Sequence, residues 1–269
     1  MTTNENQNEN QSANTTDDRR TVALITGGNR GLGRATALAL AEAGTDVILT
    51  YRSGKDEAAS VVDAVSALGR TAVAVELDTT RFDTFPAFAA SVRDALRTTW
   101  DRDSFDFLVN NAGAATLTPA GETQAEAFDL MVDVHFKGVF FLTQTLLPLI
   151  ADGGRVVNLS TGLTRFVGEG MSVYAAAKGA VEIWTKYLAQ ELGPRGISVN
   201  AVAPGPIAND FGGGMVRDNK EVRAALGGQT ALGRVGESED IGGVIASLLS
   251  PGTGWITAQR IEASGGSRL

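Results

Sequence analysis

Val22-Ala23-Leu24-Ile25-Thr26-Gly27-Gly28-Asn29-Arg30-Gly31-Leu32-Gly33-Arg34 decides how the rest of this chain is read. It opens as a short β-prone run, Val22–Thr26, and the pattern becomes helical over Gly31–Ala43. Between the two, glycines at 27, 31 and 33 let the chain turn sharply and let its backbone approach a pyrophosphate closely. The helix after the turn offers unpaired N–H groups and a positive dipole end to the phosphates. A glycine-rich turn can also serve packing alone, but its place after the first strand and before the first helix points to a dinucleotide. The spacing is Gly-x-x-x-Gly-x-Gly, not Gly-x-Gly-x-x-Gly, and it lacks the Gly-Lys-Ser/Thr ending of a triphosphatase loop.

Further strands are predicted at Asp46–Thr50, Thr71–Val75, Phe107–Val109, Arg155–Leu159, Ser198–Val202 and Arg260–Glu262. Helical periodicity fills the intervals at Lys55–Leu68, Thr84–Thr98, Thr123–Ile150, Val173–Leu192 and Glu239–Leu249. This alternation implies βαβ units and a parallel sheet, with right-handed crossovers that put helices on both faces. The expected fold is therefore α/β, one doubly wound Rossmann-type domain over residues 21–269. Residues 1–20 lack apolar periodicity and are expected to form a disordered polar tail. The glycine-rich stretch Asn209–Gly228, within a substrate-loop region of about 208–230, is expected to be a mobile loop carrying a short helix.

At 269 residues with 43% hydrophobic content, the chain suits one such domain with a substantial core. A net charge of −8 gives nothing that would attract nucleic acid over long range. The absence of cysteine excludes disulfides, thiolate metal sites and cysteine nucleophiles. The polar N-terminus has no secretory core region, and the first apolar run is too short to span a bilayer, so a soluble cytoplasmic protein is expected.

Three more motifs occur in order: Asn110-Asn111-Ala112-Gly113, Tyr174-x-x-x-Lys178 and Pro204-Gly205. Together with Thr26-Gly27-x-x-x-Gly31-x-Gly33 they resemble the short-chain dehydrogenase/reductase family from Thr21 to Gly266. Some stretches are similar to bacterial 3-oxoacyl-carrier-protein reductases and glucose dehydrogenases. The resemblance implies a seven-stranded parallel sheet, assembly into homotetramers or dimers, and hydride transfer between a nicotinamide and a carbonyl or alcohol.

A phenol near pKa 10 is a poor acid/base at neutrality, and a nearby cation favours the phenolate. Tyr174 and Lys178 stand four residues apart on one helix face, so Tyr174 is the expected general acid/base and Lys178 the charge that tunes it. The family's spacing places the hydroxyl that holds the substrate oxygen at Thr161, with Ser160 as the alternative. His135, the sole histidine, stands where the family usually carries an asparagine, and either a core role or a direct proton role is open to it. No metal site is expected, since His135 has no partner ligands nearby.

No carboxylate ends the second strand, which runs into Tyr51-Arg52-Ser53, and Arg30 lies in the turn, so NADP(H) is favoured over NAD(H). The cofactor site is expected to include Gly27, Asn29, Arg30, Gly31, Leu32, Gly33, Tyr51, Arg52 and Ser53. The resemblance adds Asp78 and Thr79, then Asn110, Ala112 and Gly113, then Pro204, Gly205, Ile207 and Asn209, besides Tyr174 and Lys178. Leu163, Phe166, Met171, Phe211 and Met215 are expected to give a moderately apolar pocket for a small carbonyl or alcohol substrate. Two other functions fit the fold class. A non-catalytic dinucleotide sensor would bind NADPH without turnover, and a methyltransferase would leave the tyrosine–lysine motif without a purpose.

Overall fold

A computed structural model describes residues 20–269; the expected disordered tail falls almost wholly outside them. The strands are β1 (Val22–Ile25), β2 (Asp46–Tyr51), β3 (Ala72–Glu76), β4 (Phe105–Asn110), β5 (Ile150–Leu159), β6 (Ser198–Pro204) and β7 (Arg260–Ala263). They form one sheet in the order β3-β2-β1-β4-β5-β6-β7, and every pairing is parallel. The order reverses between β1 and β4, and ligands of such sheets bind beyond the carboxyl ends of the strands at that point.

Alternation along the strands divides the core. Val22 and Leu24 face a layer built by α3 (Phe85–Trp100), α5 (Gly138–Leu146) and α6 (Ser172–Leu192). Ala23 and Ile25 face α1 (Gly31–Glu42), α2 (Lys55–Ala67) and α9 (Ser238–Leu249). Period-two patterning with both faces apolar is what a buried parallel sheet requires. Helices α1 and α9 approach closely because Gly242 has no side chain; a Cβ there would stand 2.7 Å from the carbonyl of Ala35.

The helix expected over Thr123–Ile150 is not continuous. It is α4 (Ala125–Val132), a π-helical turn at Asp133–Lys137, α5, and a 3₁₀ turn at Leu147–Leu149. Pro148 ends the α-helix by withholding an N–H, and β5 begins at once at Ile150. The π turn inserts one residue into the helical repeat and so re-aims the side chains of α5 beyond it. Gly138, just after it, admits the backbone of Thr79: a Cβ would lie 2.3 Å from the Thr79 carbonyl oxygen. By length and composition, Ala125–Leu149 is apolar enough to cross a membrane, yet 44% of its 18-residue apolar stretch is buried inside the fold. Its outer face leaves Phe128, Leu130 and Phe141 exposed.

The region expected to be a loop with one helix holds a 3₁₀ turn at Phe211–Gly214, then α7 (Met215–Asp218) and α8 (Lys220–Gly227). Gly212, Gly213 and Gly214 are all left-handed, with φ of 63°, 74° and 76°, a run that other residues adopt only under strain. Asn219 then starts α8, its side chain accepting from the N–H groups of Glu221 and Val222.

Candidate active site

The glycine turn is held in shape by its neighbours. Gly27 and Gly31 are left-handed, at φ 63° and 52°. A Cβ on Gly33 would stand 2.1 Å from the Gly27 carbonyl oxygen. Thr26 Oγ1 accepts from the backbone N–H groups of Asn111 and Ala112, both at 2.9 Å. The Asn111 amide donates back to the carbonyls of Thr26, at 2.8 Å, and Gly27, at 3.0 Å. Asn29 donates to the Ser53 carbonyl at 3.1 Å and ties the turn to the end of β2. Thr26 and Asn111 thus brace the cradle, and Thr26 did not stand among the expected cofactor residues. Gly33→Ala is expected to cost about 2 kcal/mol by overpacking, read by urea unfolding, and to weaken dinucleotide binding. A variant as stable as the parent would show that the turn yields freely.

The residues present fit a dinucleotide. Helix α1 begins after Arg30 with no side-chain cap and no acidic residue in its first turn, which leaves its N–H groups to a phosphate. Arg30, Arg52 and Ser53 are exposed together beside the turn, and Tyr51 is half-buried. Glu57 brings a carboxylate towards Gly54, where a Cβ would lie 2.5 Å from its Oε2. Ala112 packs on Gly27, and Asn209 Nδ2 lies 3.9 Å from the Cβ position of Gly31, above the turn. Ile207 pairs with Gly236 in an isolated bridge. Gly205, after Pro204, lets β6 approach β7 so closely that a Cβ would stand 2.7 Å from Ser264 Cα.

Two of the expected cofactor residues also make contacts within the protein. The Asn110 side chain is buried, donating to Thr143 Oγ1 at 2.9 Å and Asn158 Oδ1 at 2.8 Å. It belongs to a polar ladder inside the core, because alternation on β4 turns it away from the turn. Asp78 commits Oδ1 to its own turn, accepting from the N–H of Thr80 at 2.9 Å and its hydroxyl at 2.7 Å.

At the carboxyl end of β5, helix α6 brings Tyr174 and Lys178 into a buried site. Lys178 is 3% exposed, and its Nζ donates to the Leu159 carbonyl at 2.6 Å. Burial pulls its pKa down to about 7. Burial pushes the Tyr174 phenol up to about 12, opposed in part by hydrogen bonding with the Thr161 hydroxyl. Burial thus works against the acidified phenol that the motif leads one to expect. Desolvation is the largest influence on the phenol.

The two candidate hydroxyls part company. Ser160 Oγ donates to Glu182 Oε1 at 2.5 Å, whereas Thr161 is the hydroxyl that interacts with Tyr174. His135 is fully buried in the π turn, its ring edge-on to Tyr174 with centroids 4.8 Å apart. Its Nε2 lies 2.7 Å from the Ala114 carbonyl oxygen; a carbonyl only accepts, so that nitrogen carries the hydrogen. Burial first, and then the Lys178 charge, lower its pKa to about 3. The imidazole is therefore uncharged at neutrality.

Around this set, Phe211 stands over Tyr174 at 5.7 Å, and a Cβ on Gly113 would come within 3.7 Å of its ring. Leu163 and Met171 close on Gly168, and Met215 is exposed. Phe166 instead packs between the guanidinium groups of Arg165, at 5.4 Å, and Arg268, at 4.9 Å. Leu117, absent from the expected pocket, lies against Gly170.

A doubly wound sheet, a glycine cradle at its switch point and a buried tyrosine–lysine–threonine set define a dinucleotide-dependent oxidoreductase. The enoyl-(acyl carrier protein) reductase family model matches residues 27–268, and the chain belongs to the short-chain dehydrogenase/reductase family. It is similar to the 3-oxoacyl-[acyl-carrier-protein] reductase of Synechocystis, 36% identical over 91% of this chain and 96% of that one. A hydroxynaphthalene reductase-like protein, Arp2 of Metarhizium brunneum, is 34% identical over 91% of this chain and 94% of its own. Among solved structures, the angucycline C-6 ketoreductase LanV with bound NADP superposes with a TM-score of 0.87. It is 35% identical, over 92% of this chain and 95% of that one.

Proposed function

We propose that this chain is an NADP(H)-dependent ketoreductase whose substrate is a flat, largely apolar ketone, with fused aromatic ketones the class best matched. The observation that carries the reading is the meeting of Thr161, Tyr174 and Lys178 beside the glycine cradle. When bound, the nicotinamide supplies or accepts the hydride. The chain's own residues do the rest. Thr161 holds the substrate oxygen through its hydroxyl. Tyr174 keeps a proton ready for that oxygen, since its raised pKa keeps the phenol loaded throughout the neutral range. The ammonium of Lys178 stabilises the phenolate that remains. His135 packs edge-on to the tyrosine ring and orients it.

The exposed guanidinium groups of Arg30 and Arg52, with no acid at the end of β2, support the choice of NADP(H). Binding of NADP by LanV supports it too. Arg52→Asp is expected to raise the KM for NADPH roughly tenfold, by loss of a charge-assisted contact, with little effect on NADH. An equal rise for both cofactors would refute a 2′-phosphate contact at Arg52.

The Phe211 ring over Tyr174 supports an aromatic substrate, as do the name of the hydroxynaphthalene reductase-like relative and that of the ketoreductase LanV. The test is NADPH oxidation with a bicyclic aromatic ketone set against a short 3-oxoacyl thioester. Faster turnover of the aromatic ketone is expected; preference for the thioester would move the assignment to acyl reduction, and binding without any turnover would indicate a sensor. The apolar side chains exposed on α4, α5 and α6, among them Phe128, Phe141, Ile183 and Tyr187, support a homo-oligomer. Light scattering on the purified protein is expected to give two or four times the 28.0 kDa chain mass; a monomer would refute it.

A further inference from the structure

Ser160 and Thr161 are neighbours at the end of β5, yet only one hydroxyl turns to the tyrosine. A charged clamp made by α6 and β7 separates them. Glu182 stands one turn beyond Lys178 and two beyond Tyr174, on the same face of α6. Its Oε1 accepts from Ser160 Oγ at 2.5 Å, from Thr164 Oγ1 at 2.8 Å and from Arg260 Nε at 2.8 Å. Arg260, on β7, reaches on to the Thr161 carbonyl with Nη2 at 3.2 Å. With Nη1 it donates to Glu262 at 3.0 Å, and Arg165 grips Glu262 from the far side at 2.6 and 2.8 Å. Thr164 Oγ1 also lies 3.0 Å from the Thr161 carbonyl. The pair is mostly buried, with 14% of the Glu182 side chain and 23% of the Arg260 side chain exposed, where a charge-assisted bond is strong and directional.

We infer that Glu182 and Arg260 are positioning residues that hold the Thr161 hydroxyl towards the substrate oxygen by fixing the backbone and side chains on either side of it. Glu182 binds the hydroxyl of residue 160, and Arg260 holds the carbonyl of residue 161. The turn that carries Thr161 is thereby gripped from the helix that carries Tyr174, so donor and acid share one frame. The inference rests on the proposed role of Thr161 and extends it to residues that touch neither substrate nor cofactor.

A double-mutant cycle tests it. Glu182→Gln is expected to lower kcat about tenfold, with the KM for NADPH changed less than twofold. In a Thr161→Ala background the same change should cost less than twofold, because coupled residues are not additive. Ser160→Ala keeps the ion pair and removes only one tie, so it serves if Glu182→Gln folds poorly; a loss of about threefold, vanishing in the Thr161→Ala background, is expected. Equal losses in both backgrounds, or a parallel rise in the KM for NADPH, would mean a general structural role and overturn the inference. If Thr161→Ala alone leaves kcat intact, the role of Thr161 itself fails, which is a separate and recognisable result.

Discussion

Tyr174→Phe is expected to lower kcat for ketone reduction about a thousandfold, the range that a positioned general acid contributes. The substitution removes one oxygen and keeps the ring, which retains its packing against His135 at 4.8 Å and Phe211 at 5.7 Å. Affinity for NADPH, read by cofactor fluorescence, should therefore change less than about twofold, as expected when an interaction made only in the transition state is lost. Turnover within tenfold of the parent would remove Tyr174 from its role. A pH dependence accompanies it. Lys178 carries its charge below about 7 and loses it above, so kcat/KM for reduction should fall as pH rises through that value. The phenol, at about 12, stays protonated across the same range and contributes no second limb there.

Between pH 7 and pH 4 one side chain should account for the largest loss of stability. His135 is the only histidine, and its pKa falls from 6.5 to about 3 on folding, through burial first and then the Lys178 charge. Below 6.5 the unfolded chain takes up a proton that the folded site refuses. The contribution of neutral His135 is thus complete above 6.5 and lost as pH falls towards 3. Between pH 7 and pH 4 the parent should lose about 3 kcal/mol relative to His135→Asn, because one bound proton is worth about 1.36 kcal/mol for each pH step of one. Urea unfolding of both proteins at the two pH values measures it. A constant difference between them would mean that the imidazole is charged in the folded state.

The parts of this molecule that depend on local pattern were legible. The strand β1, the glycine turn and helix α1 follow from a few residues, because glycine spacing and hydrophobic period act within one turn of chain. Pro148 carried a legible warning that the long helix must end, and the apolar run around it concealed the signal. The π turn left none, since one extra residue in a helix changes no composition. Which way a side chain faces was the other blind point. Asn110 sits in a motif expected to border the cofactor, yet its amide enters the core ladder with Thr143 and Asn158. Thr161 and Ser160 are equivalent donors on paper, and the difference lies in Glu182 and Arg260, 22 and 100 residues away from Ser160 in the chain. The height of the phenol pKa was likewise out of reach, because desolvation is set by everything that closes around it.

Three successive residues of the β5 end are each bonded to α6. Asn158 donates to Thr185 Oγ1 at 2.9 Å, the Leu159 carbonyl accepts from Lys178 at 2.6 Å, and Ser160 donates to Glu182 at 2.5 Å. Apolar ridges alone would let a helix settle one groove along with little penalty. Three polar stitches at fixed heights index this helix in both rotation and translation. Exchanges of similar volume among the greasy contacts of α6, such as Val181 or Leu188, should therefore drift freely in descendants of this chain without shifting the phenol.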